Sequence, residues 1–280
     1  MRSAHRGWAW HNVEVDTERA AIRLGIQTVK SSEHAGEPRI HRALPSLRGR
    51  LVINLDEPVA VTYGDQTITG QAVLVGLMRP GVAGPTMTLQ PVQRTIYVEL
   101  SAAAFQQLAG APLKEFDAGG VDAASALRWI TSLVAETAEQ TTHWGREELV
   151  RNRLLHRLTR APQADRSDSL IALELLRQCD GGLSTPELAR RLHLSERQLR
   201  HVMARDIGVG PKFAARIARF SGALRSAAAG APTWSAVAAS AGFYDQSHLV
   251  EQFQALMGTT PTQWLLEERR NLQGWRHLAG

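Results

Sequence analysis

The 280-residue chain has one cysteine, few lysines and no long hydrophobic run. The single cysteine, Cys179, excludes an intramolecular disulfide framework and a zinc site made of cysteines. The longest uncharged stretch, Ser226–Tyr244, is mostly alanine and serine and contains Gly230 and Pro232, so it lacks the composition of a membrane span. The first residues also lack the apolar core of a signal peptide. We therefore expect a cytoplasmic protein that does not bind membranes.

The basic residues are almost all arginine. Of 32 basic residues only Lys30, Lys114 and Lys212 are lysine, and the net charge is +5. Arginine can bind phosphate and guanine with two hydrogen bonds, although a GC-rich genome also favours arginine codons. Residues 183–225 contain nine Lys or Arg and three acidic residues, a local net charge of +6. Such a basic stretch in helical sequence is typical of a nucleic-acid-binding surface.

The first 100 residues predict a β-rich domain. Four short apolar or alternating runs are separated by turn signals such as Pro80-Gly81, a pattern that favours a sandwich or a barrel. No helical pattern with caps occurs before residue 101. The four predicted strands are Leu51–Leu55, Val59–Tyr63, Ala72–Met78 and Arg94–Leu100.

The period of the apolar residues changes after residue 101. Helical spacing predicts a short helix at Ala102–Leu108 and two longer helices at about 122–140 and 145–160. The apolar pattern of the two longer helices fits two interpretations. They close the core of the first domain, or they form a contact between two copies of the chain or between the two domains. The polar segment Ala161–Ser169 has no period and is the predicted linker, and the sequence after it is helical.

The last third of the chain contains an internal repeat at an offset of about 50 residues. Gly208 and Pro211 in the first copy correspond to Gly258 and Pro261 in the second, with apolar residues in the same register. Each copy predicts a helix, a tight turn and a second helix.

The first copy predicts its own helix boundaries. Ser184-x-x-Glu187 and Ser195-x-x-Gln198 have the pattern of capping boxes, His193-Leu194 forms the turn, and Gly208 ends the second helix. The outer face of that second helix is basic, which fits the major groove of DNA. An ordinary pair of antiparallel helices has a similar pattern, so one copy alone leaves both interpretations open.

The second copy is more specific. It reads AGFYDQSHL at Ala241–Leu249, then Phe253, then GTTP at Gly258–Pro261. With the first copy, this resembles the C-terminal DNA-binding domain of the AraC/XylS family of bacterial transcription regulators, over about residues 168–265. In that family two helix-turn-helix units are joined by one long linker helix, which here corresponds to Pro211–Ala229.

The resemblance implies an α+β fold with a β-rich, cupin-like N-terminal domain, followed by an all-α domain with two helix-turn-helix units. Arginine can pair with guanine, glutamine with adenine and glutamate with cytosine. The implied domains are 1–160 for sensing or dimerisation, 161–169 as linker, 170–268 for DNA binding and 269–280 as a tail. The implied DNA-binding residues are Arg197, Arg200, His201 and Arg205 in the first unit, and Gln246, Ser247, His248 and Glu251 in the second.

These features predict a sequence-specific, DNA-binding transcription regulator without a cofactor or enzymatic activity. The expected partners are double-stranded DNA, a small-molecule effector, a second copy of the chain and, for an activator, RNA polymerase. The alternative is a cupin-type metalloenzyme carrying a DNA-binding tail. The sequence contains no His-x-His core, and Cys179 beside Asp180 is expected to be a packing residue rather than a nucleophile.

Charge is distributed unevenly between the two units. Residues 226–268 contain no Lys or Arg at all. Neutralisation of phosphates drives non-specific DNA binding. We therefore expect the first unit to supply most of the electrostatic affinity and the second to act on selectivity.

Overall fold

The computed structural model describes residues 17–161 and 167–268. The predicted tail, 269–280, and most of the predicted linker lie outside the described residues. The described part is a β-rich domain of two antiparallel sheets followed by a helical domain, which confirms the predicted fold class. None of its helices is long and apolar enough to cross a membrane.

Two sheets face each other in the first domain. Within the described ranges one sheet has the order β1-β8-β3-β6-β9 and the other the order β2-β7-β4-β5. The strands are β1 (Ile26–Ala35), β2 (Arg39–Arg42), β3 (Gly49–Asn54), β4 (Val59–Tyr63), β5 (Gln66–Gly70), β6 (Ala72–Val75), β7 (Thr86–Leu89), β8 (Val92–Leu100) and β9 (Val121–Asp122).

The burial pattern of β3 explains its continuous apolar run. Leu51 and Ile53 point to a core that is covered by helices, whereas Val52 points to the space between the sheets. Opposite Val52, the second sheet supplies Val59 and Val61. Both faces of β3 are therefore buried, while β4 alternates between buried and exposed residues.

The structure corrects the predicted N-terminal domain in its helices and strands, and β2, β5, β7 and β9 are strands that were not predicted. Residues 17–23 are helical and form α1, although no helix was expected before residue 101. β1 was not predicted because most of its residues are polar; it pairs along its length with β8. The predicted strand Ala72–Met78 ends at Val75, and the N–H of Gly76 bonds to the carbonyl oxygen of Asp117 at 2.8 Å. Only glycine fits at this position, because a Cβ would lie 2.0 Å from the carbonyl oxygen of Phe116.

Helices close the open face of the first sheet. The predicted helix at 122–140 is split, because Leu127 adopts an extended conformation and ends α3. The apolar residues Leu133, Val150 and Leu154 are buried in the core of this region. The elements are α2 (Ala102–Ala109), a 3-10 turn (Leu113–Glu115), α3 (Ala123–Ala126), α4 (Ile130–Ala138) and α5 (His143–Arg160).

The second domain is helical. Phe253 lies at its centre, with ring-centroid distances of 4.9 Å to Phe220, 5.6 Å to Trp234 and 5.5 Å to Trp264. These aromatic contacts join the linker helix to the second unit. The helices are α6 (Asp168–Gln178), α7 (Thr185–Arg191), α8 (Glu196–Ile207), α9 (Pro211–Ala228), α10 (Trp234–Ser240), α11 (Gln246–Met257) and α12 (Pro261–Glu268).

Candidate nucleic-acid interface

Local hydrogen bonds set where the helices of the first unit begin. Ser195 and Gln198 form a complete capping box at the start of α8, with the Gln198 N–H 3.2 Å from the Ser195 Oγ. Ser184 caps α7 by accepting the N–H of Glu187, but this box is not reciprocal. The Glu187 carboxylate instead accepts a hydrogen bond from Arg191 at 3.0 Å.

The turns of the two units have the same backbone geometry. In the first unit His193 has a φ of +54°, and in the second Gly242 has a φ of +70°. After each, an N–H returns to the preceding helix, from Leu194 to Ala189 at 2.9 Å and from Phe243 to Ala238 at 3.0 Å. The first unit therefore places a non-glycine residue in a conformation that favours glycine.

The outer face of α8 carries three of the predicted DNA-binding residues. Arg197, Arg200 and His201 are exposed, while Leu199 and Met203 on the opposite face are fully buried. Arg200 forms an exposed ion pair with Glu196 at 3.3 Å. Such surface pairs contribute little to stability, so this arginine is free to exchange its partner for a base or a phosphate.

Arg205 differs from the other predicted residues of α8. It donates to Asp206 at 2.6 Å, and this hydrogen bond raises the pKa of Arg205 and lowers the pKa of Asp206. Asp206 also accepts the Ser169 hydroxyl at 2.8 Å, which ties the end of α8 to the start of α6. Arg205 thus holds its carboxylate through two hydrogen bonds, at 2.6 and 3.1 Å, whereas Arg200 holds Glu196 through one at 3.3 Å.

The second unit presents its predicted residues at the start of α11. Asp245 caps the helix by accepting the N–H of His248 at 2.8 Å. Gln246, Ser247 and Glu251 are exposed. They are therefore sterically accessible for hydrogen bonds to base edges.

His248 is half-buried and differs from its exposed neighbours. Its ring packs edge-on against Phe243 at 5.4 Å. Its Nδ1 lies 3.4 Å from the Tyr244 N–H, an arrangement that assigns the proton of a neutral ring to Nε2. His248 can thus offer an N–H donor to DNA.

Sequence reasoning did not assign Tyr244, which lies directly before the cap of α11. Its side chain is 92% exposed, the highest value among the large apolar residues of the described part. Tyrosine combines a flat ring with a hydroxyl group and can contact both sugar and phosphate. The signal was present in the motif as an aromatic residue next to a helix start.

A separate cavity of about 270 Å³ lies between the two sheets. Its lining is mostly aliphatic, and burial raises the pKa of its single phenol, Tyr97, to about 12. Arg50 is the largely buried cation of this lining; burial lowers its pKa, and its Nε is 3.8 Å from Glu99. The aliphatic residues are Leu44, Val52, Val59, Val61, Val73, Val75 and Val98.

The described residues contain no group of three His, Cys, Asp or Glu side chains that could hold a metal ion. His41 lines the cavity, but it is paired with the carboxylate of Glu268 at 2.8 Å.

One family model matches part of the sequence, and solved structures resemble the chain in fold. Residues 188–267 match a family model described as a helix-turn-helix domain.

The fold is similar to that of ToxT from Vibrio cholerae O395, with a TM-score of 0.52 and 12% identity, covering 86% of this chain and 97% of that chain. Wild-type ToxT from strain SCE256 with a bound unsaturated fatty acid gives a TM-score of 0.52 and 11% identity, covering 86% and 95%. The AraC-like transcriptional activator CuxR gives a TM-score of 0.30 and 11% identity, covering 69% and 75%. No curated protein matches the sequence.

Proposed function

We propose that this chain, a DNA-binding transcription regulator whose C-terminal domain is of the AraC/XylS type, reads DNA through the exposed faces of α8 and α11. The observation that carries the proposal is the placement of Arg200 and Gln246. Both are exposed on capped helices whose opposite faces are buried in the domain. Two such helices can enter successive major-groove segments, about 34 Å apart on one face of the duplex.

The side chains of the two helices suggest different base preferences. Arg197 and Arg200 suit guanine, Gln246 suits adenine and Glu251 suits cytosine, each through the major-groove edge of the base. A good bidentate pair discriminates against the wrong base by about 1–3 kcal/mol. Selection of binding sites from a pool of random duplex DNA tests this proposal. We expect enrichment of a site with two parts, one for each helix. Absence of enrichment, or affinity that does not change with salt, would contradict it.

The cavity between the sheets is proposed as the effector site. Its aliphatic lining and largely buried Arg50 favour an apolar molecule with a carboxylate, and ToxT has been solved with an unsaturated fatty acid. At about 270 Å³ the cavity lies just below the ~300–1,000 Å³ range of ligand pockets. His41 and Tyr97 line both this cavity and a second cleft, formed with Trp264 and Glu268 of α12. An occupant is thus expected to change the contact between the two domains.

Binding of an unsaturated fatty acid tests the effector proposal. We expect the ligand to raise the melting temperature of the protein, and Val61→Phe, which fills the cavity, to abolish that shift. Val92→Phe is the control, because Val92 is 66% exposed at the start of β8 and does not line the cavity. An equal ligand-induced shift in the wild type and in Val61→Phe would place the ligand elsewhere.

We propose no enzymatic role for the chain. Metal analysis of the purified protein tests the alternative, because stoichiometric iron, zinc or manganese would favour a metalloenzyme. RNA polymerase, as the partner of an activator, and a second copy of the chain remain predicted partners.

A further inference from the structure

The linker helix α9 carries a row of cations between the two units. Lys212, Arg216 and Arg219 follow one another at spacings of four and three residues, so they lie along one side of the helix. The side chain of Arg216 donates to the amide oxygen of Gln252 on α11. The side chain of Arg219 donates at 3.2 Å to the carbonyl oxygen of Gly181, just before the first unit.

Two surface grooves meet along this row. The first has a volume of about 460 Å³ and lies against the start of α7 and the side chain of Arg200. The second has a volume of about 350 Å³ and is lined on α11 by His248 and Gln252. Arg216 and Arg219 line both grooves, so they form one track from the first recognition helix to the second.

In the described residues no carboxylate forms an ion pair with the cations of this track; Glu196, which lines the first groove, is paired with Arg200. The described part of the second domain contains ten Lys or Arg residues. Arg177, Arg191, Arg200, Arg205 and Arg225 have a carboxylate within 4.0 Å. The ion pairs of residues 167–268 do not include Arg190, Arg197, Lys212, Arg216 or Arg219. The hydrogen-bond acceptors of Arg216 and Arg219 are neutral, which leaves their positive charge available to an anion.

We propose that Lys212, Arg216 and Arg219 form a phosphate-binding surface that holds the DNA backbone between the two base-reading helices. The proposal rests on the proposed function, because it requires α8 and α11 to lie on one duplex. The contact is sequence-independent, since it involves phosphate oxygens rather than base edges. It also supplies the second unit with the cations that residues 226–268 lack. The electrostatic affinity is then shared across both units and does not belong to the first alone.

The test is the salt dependence of full-length protein binding to a random-sequence duplex. Each lost phosphate contact is expected to reduce the log–log salt slope by about 0.9. The double change Arg216→Gln with Arg219→Gln should therefore reduce it by about two units. Arg225→Gln is the matched control, because Arg225 is on the same helix and paired with Asp180 but lines neither groove, and its slope should equal that of the wild type.

A second double variant separates charge from structure. Arg216→Lys with Arg219→Lys keeps the charge but loses the guanidinium geometry of the bonds to Gln252 and Gly181. We expect it to restore the wild-type slope. Two results would overturn the phosphate-binding role. One is a wild-type salt slope in the double glutamine variant, and the other is a salt slope in the double lysine variant that is reduced as much as in the double glutamine variant. A wild type whose affinity does not vary with salt would overturn the proposed function itself, and this surface with it.

Discussion

His41 and Glu268 connect the two domains through a buried contact. The Nδ1 of His41 on β2 lies 2.8 Å from Oε1 of Glu268 at the end of α12, and the same oxygen accepts the N–H of Arg42 at 3.0 Å. Glu268 is only 1% exposed. β2 belongs to the sheet that bounds the cavity, and His41 lines the cavity itself. The Glu268 carboxylate therefore connects the wall of the cavity to α12 of the helical domain.

We expect Glu268→Ala to destabilise the protein far more than Glu267→Ala. Loss of Glu268 removes the acceptor of two donors, one of them a backbone N–H, which costs about 1–3 kcal/mol when such groups are buried. Glu267 forms a more exposed pair with Arg42 at 2.8 Å, and such pairs contribute about 1 kcal/mol or less. Urea unfolding gives both values, and amide exchange at Arg42 should accelerate only in Glu268→Ala. Equal losses would show that the buried carboxylate has no special role at the junction.

The two turns of the helix-turn-helix units provide a matched pair of substitutions. Gly242→Ala should destabilise by about 1 kcal/mol, because an L-residue in the left-handed region costs about 1–2 kcal/mol, partly offset by a less flexible unfolded chain. Apart from its own neighbours in the chain, no atom lies within 4 Å of a Cβ at Gly242, so the cost is one of backbone conformation.

The reverse substitution in the first unit has the opposite sign. His193→Gly should stabilise by up to about 1 kcal/mol, since the strain at φ +54° is relieved while the unfolded chain gains freedom. Thermal unfolding measures both variants. If His193→Gly is less stable than the wild type, a contact of the imidazole stabilises the fold by more than the backbone strain costs.

Local signals allowed the second domain to be predicted more completely than the first. α8 begins after the capping box of Ser195 and ends at Gly208, because both caps depend on residues close in sequence. β1 has no such signal. It is held by pairing with β8, and the N–H of the buried Ser31, on the edge of the sheet, donates to Glu147, which is 116 residues away. Non-local contacts of this kind leave no pattern in the strand itself.

The candidate DNA surface was predictable only in part. Helical periodicity indicates that Arg197 and Arg200 point outward, and the structure agrees. It does not reveal that Arg205 is paired with Asp206. Nor does it place Arg216 and Arg219 against the second unit, because that contact depends on how α9 packs between the units.

The ion pair of Asp56 with Arg94 predicts a pH dependence of stability. Arg94 donates to Asp56 through its backbone N–H at 2.7 Å and its guanidinium at 2.6 Å. The guanidinium hydrogen bonds hold the pKa of Asp56 below its ordinary value of 3.8. A carboxylate with a lowered pKa stabilises the fold above the pKa of the unfolded state, and this stabilisation is lost as the pH falls through the folded pKa.

Asp56→Asn should therefore be less stable than the wild type at neutral pH, and the difference should shrink as the pH falls below about 4. Asp65→Asn, in the exposed turn between β4 and β5, is the control and should follow the wild type at every pH. Urea unfolding across the acid range measures the difference. A constant gap between Asp56→Asn and the wild type would show that the ion pair does not cause it.

The exposed ring of Tyr244 predicts a contact with the DNA backbone. We expect Tyr244→Ala to weaken binding to cognate and random duplexes alike, with an unchanged salt slope because no charge is lost. Tyr244→Phe separates the hydroxyl group from the ring. Full affinity in Tyr244→Ala would show that this side chain does not reach DNA.

Arg200 and Gln246 should determine sequence preference in different halves of the site. Arg200→Ala should lower affinity for the selected site by about 1–3 kcal/mol if the arginine pairs with guanine, and affinity for random DNA much less. Gln246→Ala with Ser247→Ala should relax the preference in the other half while leaving the salt slope unchanged, because both residues are neutral. Competition between single-base variants of the selected site measures each loss position by position. Equal losses of affinity for selected and random DNA in Arg200→Ala would show that Arg200 contacts only phosphate. An unaltered sequence preference in the Gln246→Ala, Ser247→Ala variant would show that the second unit does not read bases and only packs against the first.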